Sequence, residues 1–164
     1  MFLEVIDKMI IISACLCGVN CRYNGGSNLN EEVLSIFKKG NAVLVCPEQL
    51  GGLETPREPQ EIQGGSGKDV LEGKAKVVTK TGKDSTEQFV KGAYETLKIA
   101  NSTGAKIAIL KANSPSCGCG EIYNGLFQGK LIKGNGVTAE LLINNQIKVI
   151  SEKDINGGGN FYGL

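Results

Sequence analysis

The sequence predicts an α/β fold: a mainly parallel sheet flanked by helices, Rossmann-like and three-layered, with glycine-rich loops at the carboxyl ends of the strands. Three observations predict it. Short apolar, β-branched runs alternate along the chain with segments of helical periodicity. Three of these runs lead into a loop that carries a cysteine. The 23 glycines among 164 residues supply the tight turns and close backbone approaches that such loops need.

Residues 9–14 read as a buried strand, because Ile10-Ile11-Ile12 is a continuous apolar run of the kind covered on both faces. Residues 30–39 read as a helix, with Val33, Leu34 and Phe37 on one face. Residues 41–45 are a second buried strand. Residues 51–73, rich in Gly, Pro and charge, read as one long loop, and a long loop in a small domain is more often functional than idle. Residues 75–79 read as a short strand. Residues 85–101 read as an amphipathic helix with Phe89, Ala93 and Leu97 at helical spacing. Residues 106–110 form a third buried strand, 113–136 another glycine-rich loop, 137–143 a short helix and 146–150 a final strand. No repeat or linker divides the chain, so a single domain over 1–164 is expected, with a loose tail from about residue 156.

Composition narrows the chemistry. Hydrophobic residues make up 41% and charged residues 21%, and the net charge of +1 favours neither nucleic acid nor a membrane surface as partner. No segment is long and apolar enough to span a bilayer. Residues 1–8 lack the basic n-region of a signal peptide, so a cytoplasmic chain with reduced cysteines is expected. The chain has no histidine, which removes Ser-His-Asp and Cys-His catalysis and every Cys/His zinc finger. Any metal falls to Cys, Asp, Glu or backbone, and any proton transfer to Glu, Asp, Lys, Tyr, Cys or water.

The cysteines are Cys15, Cys17, Cys21, Cys46, Cys117 and Cys119. Cys15 ends the first strand, Cys46 the second, and Cys117 follows the third through Ser114-Pro115-Ser116. Ligands of open α/β sheets bind outside the carboxyl ends of the strands, so parallel neighbours would bring Cys15, Cys46 and Cys117 to one edge. A structural zinc usually shows Cys-x-x-Cys pairs, and none is present. A cubane iron–sulfur cluster normally uses four cysteines. Three would leave one iron open as a Lewis acid for a soft sulfur atom. Simple packing of each cysteine is the plain alternative. Cys21 or Cys119 as a fourth ligand would close the open iron. Glu48 and Ser114 stand beside these cysteines as a proton carrier and a hydrogen-bonding group, against the plain readings of a surface acid and a Ser-Pro turn. Arg57 and Glu58 read as substrate-binding residues or a loop ion pair, and Arg22 and Tyr23 as pocket or turn residues. Gly64-Gly65-Ser66-Gly67-Lys68-Asp69 imitates a phosphate loop but has Ile62 where glycine is needed and Asp69 where Ser or Thr is needed. It reads as a flexible loop or lid.

Four motifs together resemble the TudS-type thiouracil desulfidases. They are Ser13-Ala14-Cys15-Leu16-Cys17-Gly18 with Cys21-Arg22-Tyr23-Asn24-Gly25; Cys46-Pro47-Glu48 with Gly51-Gly52-Leu53 and Pro56-Arg57-Glu58-Pro59; Ser114-Pro115-Ser116-Cys117-Gly118 with Gly120-Glu121-Ile122-Tyr123-Asn124-Gly125; and Gly134-Asn135-Gly136-Val137-Thr138-Ala139. The resemblance runs over about residues 11–152. It implies a [4Fe–4S] cluster on Cys15, Cys46 and Cys117, whose fourth iron takes the sulfur of a thiocarbonyl such as 2-thiouracil, giving uracil and hydrogen sulfide. It places Glu48 and Ser114 at motif positions of catalytic help; Ser13, Arg57 and Glu58 are the expected substrate-binding residues. A thiolated free base or nucleoside is the expected partner, rather than a large RNA. Cys17, Cys119 and Asn124 depart from the family pattern and bear on fine substrate preference. Two other functions fit the same cysteines: a sulfur carrier or transferase, and a non-catalytic metal-binding or redox-sensing module.

Overall fold

A computed structural model describes residues 8–155, and the expected loose tail lies outside the described residues. The strands are β1 (Ile10–Ser13), β2 (Ala42–Val45), β3 (Gln60–Gln63), β4 (Lys76–Thr79), β5 (Ile107–Leu110), β6 (Glu121–Tyr123), β7 (Leu131–Lys133) and β8 (Lys148–Ser151). The helices are α1 (Glu31–Lys38), α2 (Pro47–Leu50), α3 (Gly67–Leu71), α4 (Thr86–Thr103) and α5 (Val137–Asn144).

Four strands form one parallel sheet in the order β2-β1-β5-β8. Its register pairs Ile12 with Leu44 on one side and with Ile109 on the other. Successive side chains of β1 point to opposite faces. Ile11 therefore packs with Ala100 of α4 and Leu142 of α5, whereas Ile12 packs with Val33 of α1 and with Ile109. Both isoleucines are fully buried, which explains the unbroken apolar run: helices cover both faces of the sheet. The expected α/β fold on a parallel sheet is therefore the observed one.

Local chemistry sets the helix ends. The Asn30 side chain accepts hydrogen bonds from the backbone N–H of Glu32 (3.1 Å) and Val33 (3.0 Å), starting α1. Gly104, at φ 70°, stops α4 in the left-handed conformation, with its N–H on the carbonyls of Ala100 and Asn101.

Three expectations need correction. Residues 51–73 are not one loop: they hold β3 and α3. β3 pairs antiparallel with β4 outside the main sheet, so the short strand foreseen at 75–79 belongs to a separate two-stranded layer. Gln60-Glu61-Ile62-Gln63 carries little strand propensity, and its pairing with β4 and the burial of Ile62 against Val77 and Phe89 decide its state. Residues 113–136 likewise contain the antiparallel hairpin β6–β7. The glycine-rich segment at 64–69 does run from a strand into a helix. It is a capped helix start rather than a lid, because the Asp69 carboxylate accepts the Ser66 N–H at 2.8 Å and begins α3.

Candidate metal centre

Parallel order and register place the carboxyl ends of β2, β1 and β5 side by side. Cys46 follows β2 directly and precedes the first turn of α2. Cys15 sits in a single 3-10 turn, Ala14–Cys17, that follows β1 and ends at Gly18 with φ 90°. Cys117 lies beyond β5, in a loop shaped by Ser114, whose hydroxyl oxygen accepts the N–H groups of Ser116 (3.1 Å) and Cys117 (3.0 Å). All three cysteines line one cavity of about 400 Å³.

Of the remaining thiols only Cys21 lines this cavity. It is buried, and the neighbouring thiols of Cys15 and Cys46, together with burial, drive its titration upward. The Cys46 sulfur lies 3.8 Å from the Cys21 carbonyl oxygen. Cys119 is elsewhere, with its sulfur 3.5 Å from the Val149 carbonyl, and Cys17 packs beside the α1 face of the sheet.

The cavity thiols differ electrically. Cys46 is lowered to about 7 by the Cys21 thiol, helped by the Gln49 N–H at the start of α2 and by Arg57, and opposed by burial and by Glu48. Cys15 is lowered by the Cys21 thiol, with help from Asn28 and the Lys111 cation, against burial and the Cys46 charge. Burial pushes Cys117 up, and a hydrogen bond from Ser13 only partly offsets it. A thiol buried in this way loses its proton when a cation binds it.

The polar residues split into two groups. Glu48, in the first turn of α2, is half-buried and accepts the Arg57 Nε–H at 3.1 Å. Burial raises its titration above the usual carboxylate range, and Arg57 opposes that rise. The Arg57 guanidinium also donates to the carbonyl of Cys21 (2.9 Å), the carbonyl of Glu54 (3.0 Å) and the hydroxyl of Thr55 (3.0 Å). Ser13 is buried, and its hydroxyl oxygen accepts the Lys111 N–H at 3.0 Å. Glu48, Arg57, Ser13 and Ser114 all line the cavity, and so do Arg22 and Tyr23. Glu58 does not: it is exposed, and its carboxylate accepts the Thr81 hydroxyl at 2.8 Å. Along residues 51–73 the cavity takes Arg57, Pro59, Gln60 and Glu61 and nothing from the glycine-rich 64–69 segment.

Sequence reasoning missed Lys111, Asn28, Glu61, Tyr123 and Phe127, which also line the cavity. Lys111 follows β5 directly, so the strand-end rule that found the cysteines would have found it. Its ammonium pairs with Glu152 at 2.9 Å, while the other Glu152 oxygen accepts the Ala112 N–H at 2.8 Å. Tyr123 lies within the third quoted motif, and no local signal marks the other three.

A family model described as 2-thiouracil desulfurase matches residues 10–154. This chain belongs to that family. The uncharacterized protein YbbK of Bacillus subtilis (strain 168) is 53% identical over 148 residues, covering 90% of this chain and 98% of that protein. The solved structure of a [4Fe-4S]-dependent thiouracil desulfidase, TudS, superposes with a TM-score of 0.80 at 41% identity, covering 90% of this chain and 93% of that one.

The donor set of this desulfurase-family chain suits a group larger than one ion. Four cysteines, Cys21 among them, line one cavity, yet among the described residues no three Cys, Asp or Glu side chains gather for a single metal ion. Thiolates on a cubane bind separate irons and so stand farther apart than thiolates on one zinc.

Proposed function

We propose that the chain is a [4Fe–4S]-dependent desulfidase that converts a thiolated pyrimidine such as 2-thiouracil, with water, to uracil and hydrogen sulfide. One observation carries this reading: cysteines from three adjacent parallel strand ends line the same cavity. The TudS likeness and the family membership support it. Cys15, Cys46 and Cys117 would hold the cluster. When bound, the cluster supplies a Lewis-acidic iron with affinity for soft sulfur, which makes the ring carbon of a thiocarbonyl more electrophilic.

The protein does the rest. Glu48, held at Oε1 by Arg57, takes a proton from the attacking water and returns it as the carbon–sulfur bond breaks. The Ser114 oxygen is occupied as an acceptor by two backbone N–H groups, which leaves its proton to donate to substrate or water. Arg57 acts through Glu48 rather than on substrate, and Ser13 acts through Lys111 and Cys117. The Lys111 ammonium offsets negative charge near Cys15. The substrate is a free base or nucleoside, whose ring is of a size with a cavity of about 400 Å³ that would also hold the cluster. Among the described residues no helix is long and apolar enough to cross a membrane, and a cytoplasmic place of action suits a reduced cysteine site.

Anaerobic purification with iron and acid-labile sulfide analysis tests the cofactor. Replacing Cys15, Cys46 or Cys117 by Ala is expected to abolish the broad absorbance near about 400 nm of a protein-bound cluster. Full absorbance in one variant removes that cysteine from the ligand set. Sulfide released from 2-thiouracil without any acceptor separates hydrolysis from sulfur transfer, and zinc without iron removes both.

A further inference from the structure

We propose that Phe127 is a specificity-determining wall of the substrate pocket, and that Glu61 is the positioning residue that holds it there. The proposal rests on the desulfidase reading and assigns the part of the cavity that faces the heterocycle.

Glu61 is a carboxylate on β3 with only 8% exposure, and among the described residues no cation pairs with it. A buried carboxylate needs donors. It finds them in one turn: Oε1 accepts the N–H of Gly125 at 2.9 Å and the N–H of Phe127 at 3.2 Å. The turn joins β6 to β7 and is pinned at other points. Asn124 Oδ1 accepts the Leu126 N–H at 3.0 Å, and Gly125 lies so close to the Ile62 carbonyl of β3 that no side chain fits. Phe127 is held at φ 55°, a left-handed conformation that an aromatic residue avoids unless its surroundings impose it.

That strain is spent on the pocket. Glu61, Phe127, Gly129 and Tyr123 line the same cavity as the three cysteines. Aromatic faces stack on planar bases with little regard to their hydrogen-bonding edges. A pinned Phe127 therefore favours a planar six-membered thione over a small acyclic thioamide or thiourea, which offers less ring face. Glu61 Oε1 is taken up by the turn. It fixes the backbone on which the ring is carried.

The test uses anaerobically reconstituted holoprotein, with uracil and 2-thiouracil binding measured by calorimetry and sulfide release measured separately. Phe127→Ala is expected to weaken uracil binding and raise the KM for 2-thiouracil by about tenfold, with the loss in KM rather than kcat. The preference for 2-thiouracil over thiourea should fall by a similar factor. Glu61→Ala should lose affinity in the same direction, Glu61→Gln should recover most of it through its remaining carbonyl acceptor, and Glu61→Ala should add almost nothing in the Phe127→Ala background. Cluster absorbance should match the wild type throughout. Phe127→Ala with affinity and selectivity within twofold of wild type overturns the proposal, and additive losses in the double variant overturn the role of Glu61. A wild-type protein that binds the bases but releases no sulfide defeats the desulfidase reading alone, because the affinities still decide Phe127. A wild-type protein that binds neither base defeats both.

Discussion

Arg57 and Glu48 form the most consequential side-chain pair in the molecule. Both are largely removed from water, and the guanidinium spreads its donors over Glu48, the Cys21 carbonyl and the 54–55 segment. A planar fork makes all of these contacts at once, which an ammonium does not. The carboxylate is thereby aimed into the cavity while burial favours its protonated form, the combination wanted of a group that both takes and gives a proton. Glu48→Gln keeps the shape and an acceptor for Arg57 but removes the proposed proton-carrying function. It is expected to retain the absorbance near about 400 nm and to lose about 100- to 10,000-fold in kcat. A variant with near wild-type kcat would show that the proton travels by another route.

At the scale of elements, the proposed cluster site depends on how closely α2 lies on α4. α2 is one turn long, begins directly after Cys46 and carries Glu48. Backbone meets backbone at this contact: a Cβ on Gly92 of α4 would collide with the Pro47 carbonyl, and a Cβ on Gly51 with the Gln88 carbonyl. Gly92→Ala gains helix propensity, yet it pushes away the turn that holds Cys46 and Glu48. The expected net loss is about 1–3 kcal/mol, read as a lower Tm together with reduced iron content after reconstitution. Lys91→Ala, one position away on the exposed face, is the control and should stay within about 0.5 kcal/mol of wild type. Equal behaviour of the two variants would show that the close approach of α2 and α4 is dispensable.

For the molecule as a whole, the proposed ligands join parts of the chain that are far apart in sequence. Cys46, Cys15 and Cys117 come from the ends of β2, β1 and β5, adjacent in the sheet but spread over most of the chain. A group that binds all three binds the folded state and not the unfolded one, so it stabilises the fold by mass action. Removing iron with a chelator under anaerobic, reducing conditions is expected to lower Tm by about 5–10 °C, given about 3 kcal/mol of linkage and a chain of this size. An unchanged Tm in protein whose iron loss is verified would mean that the three cysteines do not share a ligand.

The amino-acid sequence by itself determined the class of this fold and pointed to the strand ends whose cysteines line one cavity. Both follow from local pattern. A β-branched apolar run such as Ile10-Ile11-Ile12 needs cover on two faces, and the carboxyl end of such a strand is where a parallel sheet presents its chemistry. The absence of histidine likewise narrowed the ligands without any coordinates. Other features waited on the tertiary structure. β3 is a strand because β4 pairs with it, not because Gln60-Glu61-Ile62-Gln63 prefers to be one. Cys21 reaches the cavity while Cys17, four residues earlier, and Cys119, two residues after Cys117, do not. Glu58 turns out to Thr81, whereas its neighbour Arg57 turns in to Glu48. The buried Glu61 meets the Phe127 turn 66 residues away in the chain. The physical reason is the same each time. Propensity and periodicity act through near neighbours, but whether a side chain is desolvated, and by which partner it is then satisfied, is settled by segments that meet only when the chain is packed.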